Sequence, residues 1–238
     1  MIATPNFVYI HTSRHGGTFV NNLILNHIPD SRLIQYHGQL SNLPKHCAKL
    51  PIIGHVRNPW DFYVSLYFNY KKKKQYLFQI ISENGTLDFE ETISRYLTLG
   101  NQSEASKTLI DQLIDAAPKE IHPQLDPNLR NPGLTAKHFA KYPAGTGYYT
   151  WLFKLMYNSR KKHKLHIGRF ENLREETMAL LKTTGTPITP GILEYLNKRE
   201  AMNPSEREKS YKDYYSKELQ LLVAEKDRYI IERFGYTF

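Results

Sequence analysis

Two stretches of the chain place glycine, arginine and hydroxyl residues where an anion could be held. The first is Tyr9-Ile10-His11-Thr12-Ser13-Arg14-His15-Gly16-Gly17-Thr18-Phe19-Val20: an apolar run, a glycine-containing loop, then the start of a helical pattern. A loop of this kind turns backbone N–H groups inward, and the dipole of the following helix adds positive potential. Arg14 adds a full charge and Thr18 a hydroxyl. The nucleoside-triphosphate loop G-x-x-x-x-G-K-[ST] does not fit. With Thr18 in its last place, Gly17 stands where the lysine belongs and His11 where the first glycine belongs. Taken alone, the segment is also compatible with a plain tight turn.

The second stretch is Gly54-His55-Val56-Arg57-Asn58-Pro59-Trp60-Asp61-Phe62-Tyr63-Val64-Ser65. Arg57 falls at the end of an expected strand, and Ser65 two turns into the helix that follows. An arginine fork matches a phosphate, and ligands of parallel sheets bind at the C-terminal edge of the strands. The same residues also allow Arg57 to pair with Asp61 and Ser65 to bond its own backbone.

The elements that must position these groups read as α/β. Asn6 to His11 is strand-like, and Val20, Leu23, Ile24 and His27 recur at helical spacing. Leu33 to Tyr36 and Pro51 to Val56 are expected to be the second and third strands. Asn58-Pro59 is a helix start, asparagine as N-cap and proline at the first helical position. Trp60, Tyr63, Val64 and Tyr67 then mark one helical face, and Asp61 sits in the first turn, where the dipole favours an acid. Residues from about 71 to 150 are more polar. They contain helical patches at Phe89 to Leu97 and Lys107 to Asp115, then loops around Pro118, Pro123, Pro127, Pro132 and Pro143. This stretch is expected to be a helical and loop insertion in a single domain spanning residues 1–238. Leu165 to Phe170 restores a strand, Glu175 to Lys182 a helix. One last helix carries Leu219, Leu222, Val223, Ile230 and Phe234 on a face and stops at Gly235.

The chain has 238 residues, 40% of them hydrophobic, with 32 Lys+Arg against 23 Asp+Glu, a formal charge of +9. That is enough apolar content for a core and excludes a disordered chain. The single cysteine, Cys47, excludes an internal disulfide or a cysteine zinc cage. His122, His138, His163 and His166 show no metal-ligand spacing, so no metal is expected. No apolar run reaches the ~20 residues of a membrane span, and the first residues lack a signal-peptide pattern. These features lead to the expectation of a cytoplasmic protein. The basic balance points to an anionic partner: nucleic acid, a membrane surface or a small polyanion. The Lys71-Lys72-Lys73-Lys74 run fits either a solvated turn or an attractor for an acidic acceptor.

Taken together, the two stretches resemble the PAPS-dependent sulfotransferases, in the branch that includes carbohydrate and heparan-type enzymes. That family's loop, His-Ile-Pro-Lys-Thr-Gly-Gly-Thr, is matched by His11-Thr12-Ser13-Arg14-His15-Gly16-Gly17-Thr18. Its Val-Arg-Asn-Pro-Trp-Asp followed by Val-Ser is matched by Val56-Arg57-Asn58-Pro59-Trp60-Asp61, then Val64-Ser65. Gly168-Arg169-Phe170-Glu171-Asn172-Leu173 resembles a later family segment. The tail from Asn203-Pro204-Ser205 through Tyr211 and Tyr214-Tyr215 to Phe238 is similar to the family's C-terminal end. The likeness covers about residues 6–70 and 164–238.

The resemblance implies a P-loop-like three-layer sandwich, a central parallel sheet flanked by helices. It implies that the loop (Arg14, His15, Gly16, Gly17, Thr18, Phe19) binds the 5′-phosphosulfate of PAPS, that Arg57 and Ser65 bind the 3′-phosphate, and that Arg207 and Lys209 close over the nucleotide. Phe170 either lines the adenine or packs behind a strand. Arg14 stands where the family has the lysine that assists the leaving phosphate, a swap that keeps the charge and changes the geometry.

Sulfuryl transfer to a hydroxyl needs a proton acceptor, for which histidine is suited. Tyr36-His37-Gly38-Gln39 resembles the Tyr-His-Gly-His of heparan-type 2-O-sulfotransferases, with Gln39 in place of the second histidine. His37 is therefore the expected base, with His11, His15 and Glu171 as rivals. Arg14 is the expected second catalytic group. The expected acceptor is a glycan hydroxyl, an anionic one if it answers the excess charge, with no nucleic-acid partner and no integral membrane contact. Tyr148, Tyr149 and Trp151 either stack on a sugar or pack the insertion. A rival reading is a non-catalytic binder of nucleotide or anionic glycan with a degraded site, motivated by Arg14 and Gln39. Another is a nucleic-acid-binding protein, motivated by charge and aromatics but lacking a recognition motif.

Overall fold

The structure, a computed structural model, describes residues 1–120, 133–159, 162–197, 207 and 209–238. The Asn203-Pro204-Ser205 segment, His122 and the prolines at 123, 127 and 132 lie outside the described residues. In chain order the elements are β1 (Ile2–Ala3), β2 (Val8–Tyr9), α1 (Gly17–His27), β3 (Arg32–Leu33), β4 (Ile52–Val56), α2 (Pro59–Lys72) and α3 (Tyr76–Ile81). Then follow α4 (Phe89–Thr98), α5 (Glu104–Ala116), α6 (Ala136–Phe139), α7 (Tyr148–Tyr157), β5 (Leu165–Arg169), α8 (Leu173–Thr183), α9 (Pro190–Asn197), α10 (Lys217–Lys226) and α11 (Arg228–Phe234). The protein is α/β, and its described residues form two compact units. One holds residues 1–57, 155–159 and 162–197; the other holds 58–120, 133–154, 207 and 209–238.

The first unit contains the sheet, in the order β3-β1-β2-β4-β5. β2, β4 and β5 are parallel, as expected, but β1 runs antiparallel to both β2 and β3, so the sheet is mixed rather than wholly parallel. The cause is a hairpin at Thr4-Pro5-Asn6-Phe7. Thr4 N–H donates to the Phe7 carbonyl at 2.9 Å, and Thr4 Oγ1 accepts from the Phe7 amide at 3.0 Å. The turn folds Met1 to Ala3 back as a strand too short to show a period of two. The expected strand at Leu33 to Tyr36 is shorter and earlier, Arg32–Leu33; the Ile34 and Gln35 amides turn instead to the Met1 carbonyl. Tyr9 and Ile53, neighbours across β2 and β4, join Phe19, Val20, Leu23 and Ile24 of α1 and Leu180 and Leu181 of α8 in one buried core.

The second unit is helical. The stretch from about 71 to 150 is not a body by itself, because it shares this unit with α2 and the C-terminal helices. Asn58 caps α2 as expected, its Oδ1 accepting from the Trp60 amide at 3.0 Å and the Asp61 amide at 3.4 Å. The expected apolar face of α2 is buried, but so are Asp61, Phe62, Ser65 and Leu66, so α2 is a central helix rather than a half-exposed one. Lys71 to Lys74, at its end, are exposed. Tyr148, Tyr149 and Trp151 are buried in this unit, where Tyr149 stacks on Phe62 with ring centroids 4.1 Å apart. They pack the core and are not presented to a ligand.

The expected last helix is two, α10 and α11, broken at Asp227; Gly235 ends the second in the left-handed conformation, as expected. The break has a polar cause. Asp227 is fully buried, and its carboxylate accepts from the Tyr63 hydroxyl of α2 at 2.7 Å and from the Thr150 amide of α7 at 2.8 Å. Burial pushes its carboxyl up to about 6, against the opposing pull of these hydrogen bonds. Because folding raises this pKa from 3.8 to about 6, the contribution of Asp227 to stability is complete below about pH 4 and is lost as pH rises through 6. Asp227→Asn is expected to remove that slope, on the order of 3 kcal/mol across the interval, in urea unfolding followed from pH 4 to 7. An unchanged slope would mean that Asp227 does not titrate there.

Candidate functional site

The glycine loop lies between β2 and α1, in the sheet-bearing unit. Arg14 and Gly16 both take left-handed backbone angles, φ +67° and +73°, which curl the loop around the start of α1. Gly16 meets this at no steric cost, and a non-glycine residue such as Arg14 rarely does. Gly16 is the N-cap of α1, whose first turn has no side-chain cap and no acidic residue. The first-turn amides therefore face a site whose dipole and hydrogen-bonding needs both favour an anion. Gly17 is required by close approach. A Cβ there would lie 1.8 Å from Cδ2 and 2.0 Å from Nε2 of His11, whose imidazole is laid across it.

Two predicted site residues grip this loop through its carbonyls. Arg57, buried just beyond the end of β4, donates from Nη1 to the Arg14 carbonyl at 2.9 Å, and its guanidinium lies 4.0 Å above the Phe170 ring. Phe170 is half-buried: it supports Arg57 and, with Leu173, packs against Gly16. That support was not foreseen in the sequence, where Phe170 was an adenine contact or a core residue. His37, itself at φ +50°, sets Nδ1 3.0 Å from the His11 carbonyl. A carbonyl only accepts, so Nδ1 carries the proton and, in the neutral ring, Nε2 carries the lone pair.

The three histidines around the loop are in different states. His11 is 4% exposed, and the Asn21 amide nitrogen lies 3.0 Å from its Nδ1. An amide nitrogen only donates, so Nδ1 accepts and the neutral ring keeps its proton on Nε2. Burial, then the neighbouring His37 with ring centroids 4.4 Å away, holds the pKa of His11 well below the ordinary histidine value. His15 lies 2.6 Å through Nδ1 from the Ser13 carbonyl, and burial takes its pKa down to about 3. Its neutral ring therefore offers an anion no donor at Nε2; its backbone N–H remains a donor. His55, on β4, donates from Nε2 to Thr177 Oγ1 at 3.2 Å, since that hydroxyl itself donates to the Leu173 carbonyl; burial lowers its pKa to about 3.

Arg14, His15, Gly16, Gly17, Thr18, Phe19, His37 and Arg57 thus belong to one unit, and the loop is the common neighbour of His37 and Arg57. The Phe19 ring is buried near Tyr195 and Arg174, so only its backbone is available to a ligand. Ser65, Arg207 and Lys209 belong to the helical unit. Ser65 is fully buried in α2, Arg207 pairs with Asp61, and Lys209 is exposed. Among the described residues no group of three or more His, Cys, Asp or Glu side chains could hold a metal ion, and no helix is long and apolar enough to cross a membrane. The contact of His11 with Asn21 follows no local spacing rule and was not foreseen.

Gly17→Ala is expected to cost about 1–3 kcal/mol, the range of an overpacked site, and clearly less in a His11→Ala background. Urea unfolding of the two single variants and the double variant measures this; an equal cost in both backgrounds would remove the contact as the reason for the glycine. No protein-family model matches the chain, and no curated protein is significantly similar to it.

Proposed function

We propose that the protein transfers a sulfuryl group from 3′-phosphoadenosine 5′-phosphosulfate to a hydroxyl of a carbohydrate acceptor, on a P-loop-like α/β frame. The observation that carries this reading is that one anion-ready loop is bound by two groups the chemistry needs. Arg57 donates to the Arg14 carbonyl and His37 to the His11 carbonyl. The residues present fit the nucleotide's charges: the uncapped first turn of α1 and Arg14 suit a phosphosulfate, and Arg57 a further phosphate.

In this mechanism the acceptor hydroxyl gives its proton to His37 Nε2 as its oxygen attacks sulfur. The bond from sulfur to the bridging oxygen breaks, and that oxygen leaves with the nucleotide bisphosphate. Its growing charge is stabilised by Arg14 and the loop amides. The tautomers support His37 over its histidine rivals. His11 has no lone pair to offer at Nε2, and a His15 pKa of about 3 makes it a weak base. His37 instead has its Nδ1–H tied to the backbone, so that in the neutral ring the lone pair is on Nε2.

Arg57→Ala is expected to weaken adenosine 3′,5′-bisphosphate binding by about 10–100-fold, the worth of hydrogen bonds to a charged group. Unchanged affinity by calorimetry would end the assignment. His37→Ala is expected to cut turnover by ~10²–10⁴ while bisphosphate affinity persists; near-normal turnover would mean another base. Sulfate transfer to a panel of glycans separates the enzyme from the alternative, a nucleotide- or anionic-glycan-binding protein without turnover.

A further inference from the structure

We infer that His11 is a neutral hydrogen-bond donor to an oxyanion held at the N-terminus of α1, set in that role by Asn21. The inference rests on the anion-binding reading of the loop and adds a side chain to it. Three observations carry it. The ring edge bearing Nε2 lies over Gly17, the first residue of α1, close enough that no Cβ fits between them. The Asn21 amide fixes the proton on Nε2 by donating to Nδ1 at 3.0 Å. The side chain is 4% exposed, no group among the described residues accepts from Nε2, and Nε2 is not one of the fully enclosed polar atoms, so it is open to a ligand. An N–H that little water reaches gains from an acceptor. The first turn of α1 carries no acidic side chain, and its amides are donors themselves. An anion bound by those amides is an acceptor for both.

The assignment also divides the labour between adjacent rings. His11 accepts at Nδ1, which leaves its proton on Nε2, and His37 donates at Nδ1. A neutral imidazole donor strengthens an oxyanion's hydrogen bonding without adding a second cation next to Arg14. Asn21 lies on α1 itself, so the helix that presents the amides also orients the side chain that assists them.

The test is nitrogen-15 NMR of histidine-labelled wild-type protein at pH 7, titrated with inorganic pyrophosphate, with His11 assigned by the signal lost in His11→Gln. The expected result is an Nε2–H tautomer whose Nε2 resonance moves on saturation. Pyrophosphate affinity is expected to fall about tenfold in His11→Leu and to stay within about threefold in His11→Gln, whose amide N–H can replace that of the ring. An Nδ1–H tautomer, an unmoved resonance, undiminished affinity in His11→Leu, or wild-type protein that binds no pyrophosphate would each overturn the inference. If His11→Leu does not fold, the wild-type resonance decides. Adenosine 3′,5′-bisphosphate separates the two readings. Protein that engages pyrophosphate through His11 but does not bind the bisphosphate keeps this inference and loses the sulfotransferase reading.

Discussion

The first site depends on how His11 is held. Its ring lies across Gly17, its Nδ1 takes a proton donor from Asn21, and its carbonyl receives His37. A residue at the end of the β2 segment is thereby tied to the following helix and to the segment after β3. The loop from Thr12 to Gly16 is suspended between these ties, and Arg57 fastens its middle at the Arg14 carbonyl. Left-handed angles at Arg14 and His37 are tolerated because neighbouring hydrogen bonds leave the backbone little else to do.

A second constraint is the number of ionisable side chains kept neutral by burial. His11, His15 and His55 are held below their ordinary pKa, so folding favours their neutral forms. For His15 and His55 stability is complete above the unfolded pKa of 6.5 and is lost as pH falls towards 3; for His11 the sign is the same. Asp227 in the helical unit acts in the opposite sense, losing stability as pH rises through about 6. Arg14, within the loop, and Arg57, bound to its carbonyl, add full positive charges beside these neutral rings, and in low dielectric a charge acts strongly on an anion.

Much of the frame was legible because it rests on local rules. The Asn58-Pro59 start of α2, the helix opened by Gly16-Gly17, the parallel strands at residues 52–56 and 165–169, and the Gly235 stop all follow from capping, periodicity and backbone freedom. The misses share a different origin. β1 is two residues long and is defined by its partners. The break at Asp227 reflects a buried carboxylate claimed by Tyr63 and Thr150, both far away in sequence. Tyr148, Tyr149 and Trp151 look alike in sequence whether they meet a sugar or a core, and burial decided for the core.

For the site, residue types and order by themselves marked the glycine loop, Arg14 and Arg57, because anion binding demands particular groups at particular points in a strand–loop–helix frame; His37 was marked only by the resemblance of Tyr36-His37-Gly38-Gln39 to a family segment. Tertiary structure alone decided the protonation pattern. Which nitrogen of His11, His15 or His37 carries the proton depends on whether an amide or a carbonyl stands 2.6–3.0 Å away. Two of those partners, Asn21 for His11 and the His11 carbonyl for His37, are brought there by folding at distances no sequence spacing encodes. The same holds for Gly17, which the sequence marks as a turn residue and the fold makes the seat of the His11 ring.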